Sequence, residues 1–361
     1  MKNSVVKYYN VHDILTFQIV CDAEKNYLPD FNFPFSYFEV EYVEKPSIVL
    51  NISPFEPNNN GCDIVFKKCH VKRNYIYCRE RDGLAAWHVE FIGIEEETTV
   101  INFAWERRTP KAFVAPHNFP QIYYLEPLIE YKLTKMGYCL LHAAAMVKGN
   151  EAILFAGRSG SSKTPLIAHS ISQLGYSYLS DDKVILRDGL VYSFPRYVNL
   201  FNYMMRGNYS KELGGFLEKL KAVVFIRKPL KIKNGRGLFT FEFNITDIAR
   251  IKSINVICRS DAENCVKNAI QHENKQRLIA SLVYNNYAEM WVSNLFIDYL
   301  KAYAYIFPEV LQPYTFGNLY QSIYGAINDN VEMNEILVNR SFVHSISEDL
   351  TSDLINERKR S

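Results

Sequence analysis

The chain has 361 residues, of which 48% are hydrophobic and 22% are charged, as in ordinary globular proteins. Its formal net charge of +2 argues against a nucleic-acid partner, and no apolar run reaches the length of a membrane helix. Seven cysteines without a Cys-x-x-Cys pair indicate a reducing compartment, which favours the cytoplasm. A chain of this length is expected to form two domains.

Strand patterns dominate the chain before residue 108. Residues 38–44 alternate apolar and acidic side chains, as a half-exposed strand does. Similar runs follow at 47–52, 62–66, 74–78, 85–92 and 98–103. A proline-containing connector at 110–120 then interrupts the pattern. The sequence therefore predicts a mainly antiparallel β domain over residues 1–115.

The clearest chemical signal is the run Gly157, Arg158, Ser159, Gly160, Ser161, Ser162, Lys163 and Thr164. It follows the apolar run 152–156 and precedes a helical pattern at 164–174, which is the strand, loop and helix order of a phosphate-binding P-loop. The loop N–H groups would bind phosphate. Lys163 would reach the terminal phosphates, and the Thr164 hydroxyl would bind Mg²⁺. Ser162 departs from this motif, which has glycine there.

Two adjacent carboxylates are predicted to lie near this loop. A helix over 164–174 rises about 16 Å, Gly175 suits the left-handed position after it, and a strand over 176–180 returns by about 16 Å. Asp181 and Asp182 should therefore reach the same edge as Lys163. One could hold Mg²⁺ while the other accepts a hydroxyl proton. A role in a turn or a helix cap is the alternative.

His142 is a further candidate. Runs at 140–147 and 151–156 flank a Gly-Asn turn, which predicts a hairpin. Counting back from that turn places His142 opposite Ala156 or Gly157. The histidine would then be either a buried core residue or a residue that acts near the phosphates or orients a carboxylate.

Three spaced motifs carry a family resemblance: Leu-His-Ala-Ala-Ala at 141–145, Gly-x-Ser-Gly-x-x-Lys-Thr at 157–164, and Leu-Ser-Asp-Asp at 179–182. Together they resemble the HPr kinase/phosphorylase catalytic domain. The resemblance is greater to HPr-kinase-like proteins found with peptide-modifying enzymes, including kinases of lasso peptides. It covers residues 131–201, with a weaker similarity as far as residue 287. The superfamily also contains phosphoenolpyruvate carboxykinase.

The resemblance implies an α/β protein, in which the β domain precedes an HPr-kinase/phosphoenolpyruvate-carboxykinase-like P-loop domain over residues 116–361 with C-terminal helices. It implies ATP and Mg²⁺ as cofactors. Asp181 takes the general-base position, Asp182 a metal-linked position, and His142 the position of the histidine ahead of the loop. Lys163 would act with them in catalysis.

The leading hypothesis is an ATP-dependent kinase that transfers the γ-phosphoryl group to a hydroxyl. The resemblance favours a serine or threonine of a peptide or protein, with a small-molecule hydroxyl as the alternative acceptor. A nucleotide-binding regulator without turnover is the second hypothesis, motivated by Ser162, although retention of Asp181 and Asp182 argues against it. A carboxykinase is the third, but those enzymes are longer. The β domain would recognise the acceptor or pack the subunits of a homo-oligomer.

The other elements have weaker signals. Cys62, Cys69, His70 and Cys78 do not have the spacing of a zinc site. Helices are predicted at 121–135, 261–272, 274–287, 290–305 and in the tail from 332. Strands are predicted at 184–186, 190–194, 222–226, 239–243 and 254–258.

Overall fold

The structure is a computed structural model that describes residues 4–22, 35–108, 118–161, 163–195, 197–198, 228–229, 245–260, 266–269, 274–291, 294–327 and 330–339. The chain forms two compact units. The first consists of residues 1–136 with 293–318, and the second of residues 137–292 with 319–361. Each unit contains a large mixed sheet, so the fold class is α/β.

The helices of ten or more described residues are α1 (Glu126–Lys135), α2 (Lys163–Leu174), α3 (Lys275–Asn286), α4 (Leu295–Ala304) and α5 (Phe316–Ala326). Shorter helical segments lie at Ser36–Phe38, Asn118–Pro120, Gln121–Leu125, Tyr287–Trp291 and Pro308–Tyr314. Among the described residues, no helix is long and apolar enough to cross a membrane.

The first unit has a nine-stranded sheet. From edge to edge its strands are β3 (Glu39–Val40), β1 (Ser4–Val11), β2 (Leu15–Asp22), β4 (Ile48–Ile52), β9 (Thr99–Arg107), β8 (Ala85–Ile92), β7 (Tyr75–Asp82), β6 (Cys69–Lys72) and β5 (Asp63–Val65). The pairs β2–β4 and β4–β9 are parallel, and the other neighbours are antiparallel. The sheet is therefore mainly antiparallel, as the sequence predicts.

Aromatic side chains fill the core of the first unit, between one face of this sheet and the helices of the same unit. Trp87 Nε1 donates a hydrogen bond of 2.7 Å to Tyr124 Oη, and the rings of Phe91 and Phe296 lie 5.1 Å apart. These aromatic residues are buried. Tyr124 precedes α1 and Phe296 lies in α4, so both helical segments depend on the sheet for their apolar contacts.

The second unit has another nine-stranded sheet. Its main path runs through β10 (Cys139–Leu141), β14 (Val184–Arg187), β15 (Leu190–Ser193), β18 (Ile248–Ser260), β12 (Glu151–Ala156), β11 (Ala143–Lys148) and β13 (Ser177–Ser180). Strand β20 (Glu332–Asn339) pairs with β18 and with β19 (Val266–Ala269). The two-residue strands β16 (Tyr197–Val198) and β17 (Lys228–Pro229) pair with each other.

The segment β12–α2–β13 follows the predicted strand, loop and helix order. Strand β12 lies between β11 and β18 and is almost wholly buried, which explains its unbroken apolar sequence. Helix α2 packs on the sheet through Leu166 and Ile167. Gly175, with φ +67°, follows the helix in the left-handed region. Both β12 and β13 are antiparallel to β11, so their carboxyl ends share one edge of the sheet.

Several sequence predictions are wrong in detail. The predicted strand 38–44 is reduced to Glu39–Val40, and β1 and β2 were not predicted. Residues 332–339 form a strand instead of the start of a helical tail, and 266–269 form a strand inside a predicted helix. The reason is tertiary: β20 is held by pairing with β18 on one side and β19 on the other. The predicted strands at 222–226 and 239–243 lie outside the described residues, as does the tail beyond 339.

The compact units divide the chain differently from the predicted domain boundary between residues 115 and 116. Residues 116–136 and 293–318 belong to the first unit. A fragment of residues 116–361 would therefore expose side chains such as Tyr124 and Phe296, which contact Trp87 and Phe91 in the intact chain. We expect this fragment to aggregate, or to bind a hydrophobic dye, when it is expressed beside the full chain. A soluble fragment with a cooperative unfolding transition would support the boundary predicted from the sequence.

Candidate active site

The loop after β12 begins with a glycine that no other residue could replace without movement. A Cβ atom at Gly157 would lie 2.8 Å from both Ile257 O and Ser161 Oγ. The φ angles are +156° at Gly157 and +80° at Gly160, both outside the range that L-residues prefer. Ser161 N donates to Arg158 O at 3.0 Å, which closes a turn around Ser159 and Gly160. The loop therefore follows a tight backbone path after β12.

Lys163 is the buried cation of this site. Its side chain is only 7% exposed, and Nζ donates to Gly157 O at 2.6 Å, to Arg158 O at 3.3 Å and to His142 Nε2 at 3.2 Å. Burial lowers the pKa of Lys163, against the opposing charges of Asp182, Asp181 and Glu289. The ammonium group thus turns back onto its own loop, with carboxylates in its surroundings.

His142 connects Lys163 to the aspartate pair. Ala143 pairs with Ala156, so His142 comes next to Gly157, as the hairpin count predicts. Burial and the Lys163 ammonium lower the pKa of His142 to about 4, so the ring is neutral at neutral pH. Nε2 accepts from Lys163, which leaves the proton on Nδ1, 3.3 Å from Asp182 Oδ1. Lys163, His142 and Asp182 therefore lie in a row, with a hydrogen bond between the first two and a contact of 3.3 Å between the last two.

The end of α3 holds the backbone around His142. Asn286 Oδ1 accepts from His142 N at 2.9 Å, and Asn286 Nδ2 donates to Leu140 O at 2.7 Å. Asn285 Nδ2 lies 3.4 Å from His142 O. Because Asn286 is buried, its amide satisfies two backbone groups that water does not reach. The sequence had no signal for this role, since Asn286 lies more than a hundred residues after His142.

The two aspartates differ in exposure and backbone conformation. Asp181 is 5% exposed, whereas the Asp182 side chain is 43% exposed. Asp182 has φ +90°, a conformation that costs an L-residue on the order of 1–2 kcal/mol. Strain of this kind at a residue that contacts His142 is typical of functional positions. The structure thus brings Asp182 into contact with His142 and places Asp181 beside it at the same sheet edge.

The carboxylate of Glu289, which no sequence pattern indicated, contacts the loop. Glu289 Oε1 accepts from Ser159 N at 3.0 Å and from Arg158 Nε at 3.3 Å, and Glu289 Oε2 accepts from Ser159 Oγ at 2.6 Å. Burial acts to raise the pKa of Glu289, but the bonds from Ser159 and Arg158 outweigh it and the pKa is lowered. Glu289 belongs to the π-helical turn Tyr287–Trp291, far from the loop in sequence. The loop sequence alone could not indicate it.

Solved structures match the chain, but with low sequence identity where we report it. No protein-family model matches the chain, and no curated protein matches it. The chain is similar to the solved structure of the Hpr(Ser) kinase/phosphatase from Coxiella burnetii, with 11% sequence identity. That match covers 61% of this chain and 97% of the other, with a TM-score of 0.27. A TM-score this low does not establish a shared fold.

The loop has groups that fit a phosphate. Its amide at Ser159 and the Arg158 side chain already bind a carboxylate, so they are directed towards an anion. The buried Ser161 Oγ has no hydrogen-bond partner among the described atoms. Ser162 and the Thr164 side chain lie outside the described part of the chain.

Of the two residues predicted to hold Mg²⁺, Thr164 and Asp182, the structure describes the side chain of Asp182. Within the described residues, no three His, Cys, Asp or Glu side chains gather closely enough to hold a metal ion. Mg²⁺ at nucleotide sites takes most of its ligands from phosphate and water, with one or two carboxylates. Asp182, which is half-exposed, fits that smaller requirement.

The positive φ of Asp182 leads to a stability prediction. Asp182→Gly and Asp182→Ala both remove the contact with His142, but only glycine adopts φ +90° without strain. We expect the glycine variant to be more stable than the alanine variant by about 1 kcal/mol in urea unfolding. Equal unfolding midpoints would show that residue 182 does not have this conformation in solution.

Proposed function

We propose that the protein is an ATP-dependent kinase that transfers the γ-phosphoryl group to a hydroxyl of a peptide or protein. The observation that carries the proposal is the row from Lys163 through His142 to Asp182, at the end of a glycine-containing loop. A loop that binds nucleotide without turnover needs the lysine but not the adjacent carboxylates. Asp181 and Asp182 at that edge therefore favour catalysis over binding alone.

Each residue of the site has a task in this proposal. The amides between Gly157 and Thr164 hold the phosphates, and Lys163 neutralises charge on the terminal phosphates. Asp182 and the Thr164 hydroxyl would hold Mg²⁺, which when bound supplies further neutralisation of phosphate charge. His142, neutral and fixed by Asn286, orients Asp182 through Nδ1. Asp181 accepts the proton of the acceptor hydroxyl, as the family resemblance implies.

The acceptor class rests on the resemblance to kinases of peptides and proteins. The second compact unit contains the loop, His142 and both aspartates, so the proposed phosphate chemistry lies within one unit. The nine-stranded sheet of the first unit has none of these groups. We therefore assign recognition of the acceptor, or assembly of a homo-oligomer, to the first unit. A small-molecule hydroxyl is the alternative acceptor.

Replacement of the buried lysine tests the role of the loop. Lys163→Met keeps most of the apolar stem and removes the ammonium, so we expect ATP turnover to fall by about 10²–10³-fold. Turnover is measured by phosphate release or by labelling of the acceptor, and circular dichroism checks the fold. Lys252→Ala is the control, because Lys252 pairs with Glu151 at the other end of β12. Unchanged turnover in Lys163→Met would remove the loop from the mechanism.

A second pair of variants separates the two carboxylates. Asp181→Asn should lose turnover by about 10²-fold or more and still bind MgATP, because its proposed task is proton acceptance. Asp182→Asn should raise the Mg²⁺ concentration needed for binding, because its task is to hold the metal. Calorimetry and turnover are measured on both variants. The reverse pattern would assign the base to Asp182, and full turnover in both variants would contradict the kinase proposal.

A further inference from the structure

The carboxylate of Glu289 lies on the loop that we assign to phosphate. It accepts hydrogen bonds from the backbone N–H and the hydroxyl of Ser159 and from Arg158 Nε, so a negative charge already lies at the loop donors. Its side chain is only 12% exposed, whereas that of Arg158 is 77% exposed. The contact joins two segments of the same unit: Glu289 follows α3, and Ser159 follows β12.

We propose that Glu289 is an internal anion that competes with nucleotide phosphate for the loop, so that the nucleotide binds only when this carboxylate leaves. The inference rests on the proposed function, because it concerns the occupant of the same site. While Glu289 occupies the loop, the protein's own side chain inhibits nucleotide binding.

The competition follows from the donors that Glu289 uses. The Ser159 amide has one hydrogen, and the carboxylate accepts it at 3.0 Å. A phosphate oxygen at that hydrogen would lie beside the carboxylate, and two negative charges at such a distance repel each other strongly in a partly buried site. The loop can therefore hold Glu289 or a phosphate at Ser159, but not both. The apparent affinity for nucleotide is reduced by the fraction of molecules in which Glu289 is bound.

The same helix end also holds His142. Asn286, the last residue of α3, binds the His142 amide, and Glu289 lies in the π-helical turn that begins at the next residue. The segment that carries Glu289 therefore begins directly after the residue that positions His142. The loop and the histidine are connected through α3 and the turn Tyr287–Trp291, in addition to their direct contact through Lys163.

Glu289→Gln in the full chain tests the inference. Glutamine keeps the size of the side chain and one acceptor oxygen but removes the charge that excludes phosphate. Glu151→Gln is the matched control, because Glu151 is an exposed carboxylate at the start of β12, about 16 Å from the loop. The ligands are MgATP and inorganic pyrophosphate, the second of which reports on the phosphate loop without the nucleoside. Affinities are measured by calorimetry.

We expect Glu289→Gln to bind both ligands at least about tenfold more tightly than the wild type, because hydrogen bonds to a charged group are stronger than those to a neutral one. Glu289→Ala should bind at least as tightly as Glu289→Gln, and Glu151→Gln should match the wild type. If Glu289 instead serves only to hold the loop in place, glutamine leaves the affinity unchanged and alanine weakens it, which overturns the inference.

The outcomes separate this inference from the proposed function. If the wild type binds MgATP and Glu289→Gln binds it equally well, the competition is excluded while the kinase proposal stands. If no folded variant binds MgATP or pyrophosphate, the phosphate site itself is excluded and the competition with it. Binding by Glu289→Gln in the absence of measurable wild-type binding would support both.

Discussion

The burial of the Lys163 ammonium is the constraint on which the candidate site depends. A cation with 7% exposure requires partners, and it obtains them from Gly157 O, Arg158 O and the neutral ring of His142. His142 must be neutral to accept from the lysine. Gly157, whose carbonyl also accepts from the lysine, has no room for a Cβ atom because Ile257 O and Ser161 Oγ lie too close.

The sheet of the second unit creates the conditions for that contact. Strand β12 is central and buried, so the loop after it leaves the sheet at a fixed point. Helix α2 carries the chain away, and β13 brings it back parallel to β12 with β11 between them. Asp182 then reaches His142. That histidine lies just before β11, the strand between β12 and β13. The order of three strands therefore determines which side chains meet.

Three carboxylates surround the buried lysine of the site. Asp181, Asp182 and Glu289 all act to raise the pKa of Lys163, but burial lowers it further than they raise it. In this arrangement the lysine contacts carbonyls and a histidine, while Glu289 occupies donors of the loop. A phosphate that enters the loop, as we propose, would take the place of the Glu289 carboxylate at those donors.

The local sequence by itself determined the loop, the hairpin before it and the crossover after it, because glycine positions, apolar runs and helix length act over short distances. The Gly149-Asn150 turn and Gly175 each have a local conformational reason, and the hairpin register follows from the turn. The tertiary structure decided what local patterns could not. The strand 332–339 depends on β18 and β19, the α1 region joins the first unit, and Asn286 and Glu289 reach the site from more than a hundred residues away. These features are contacts between distant segments, and the energy of such a contact appears only when the chain has folded.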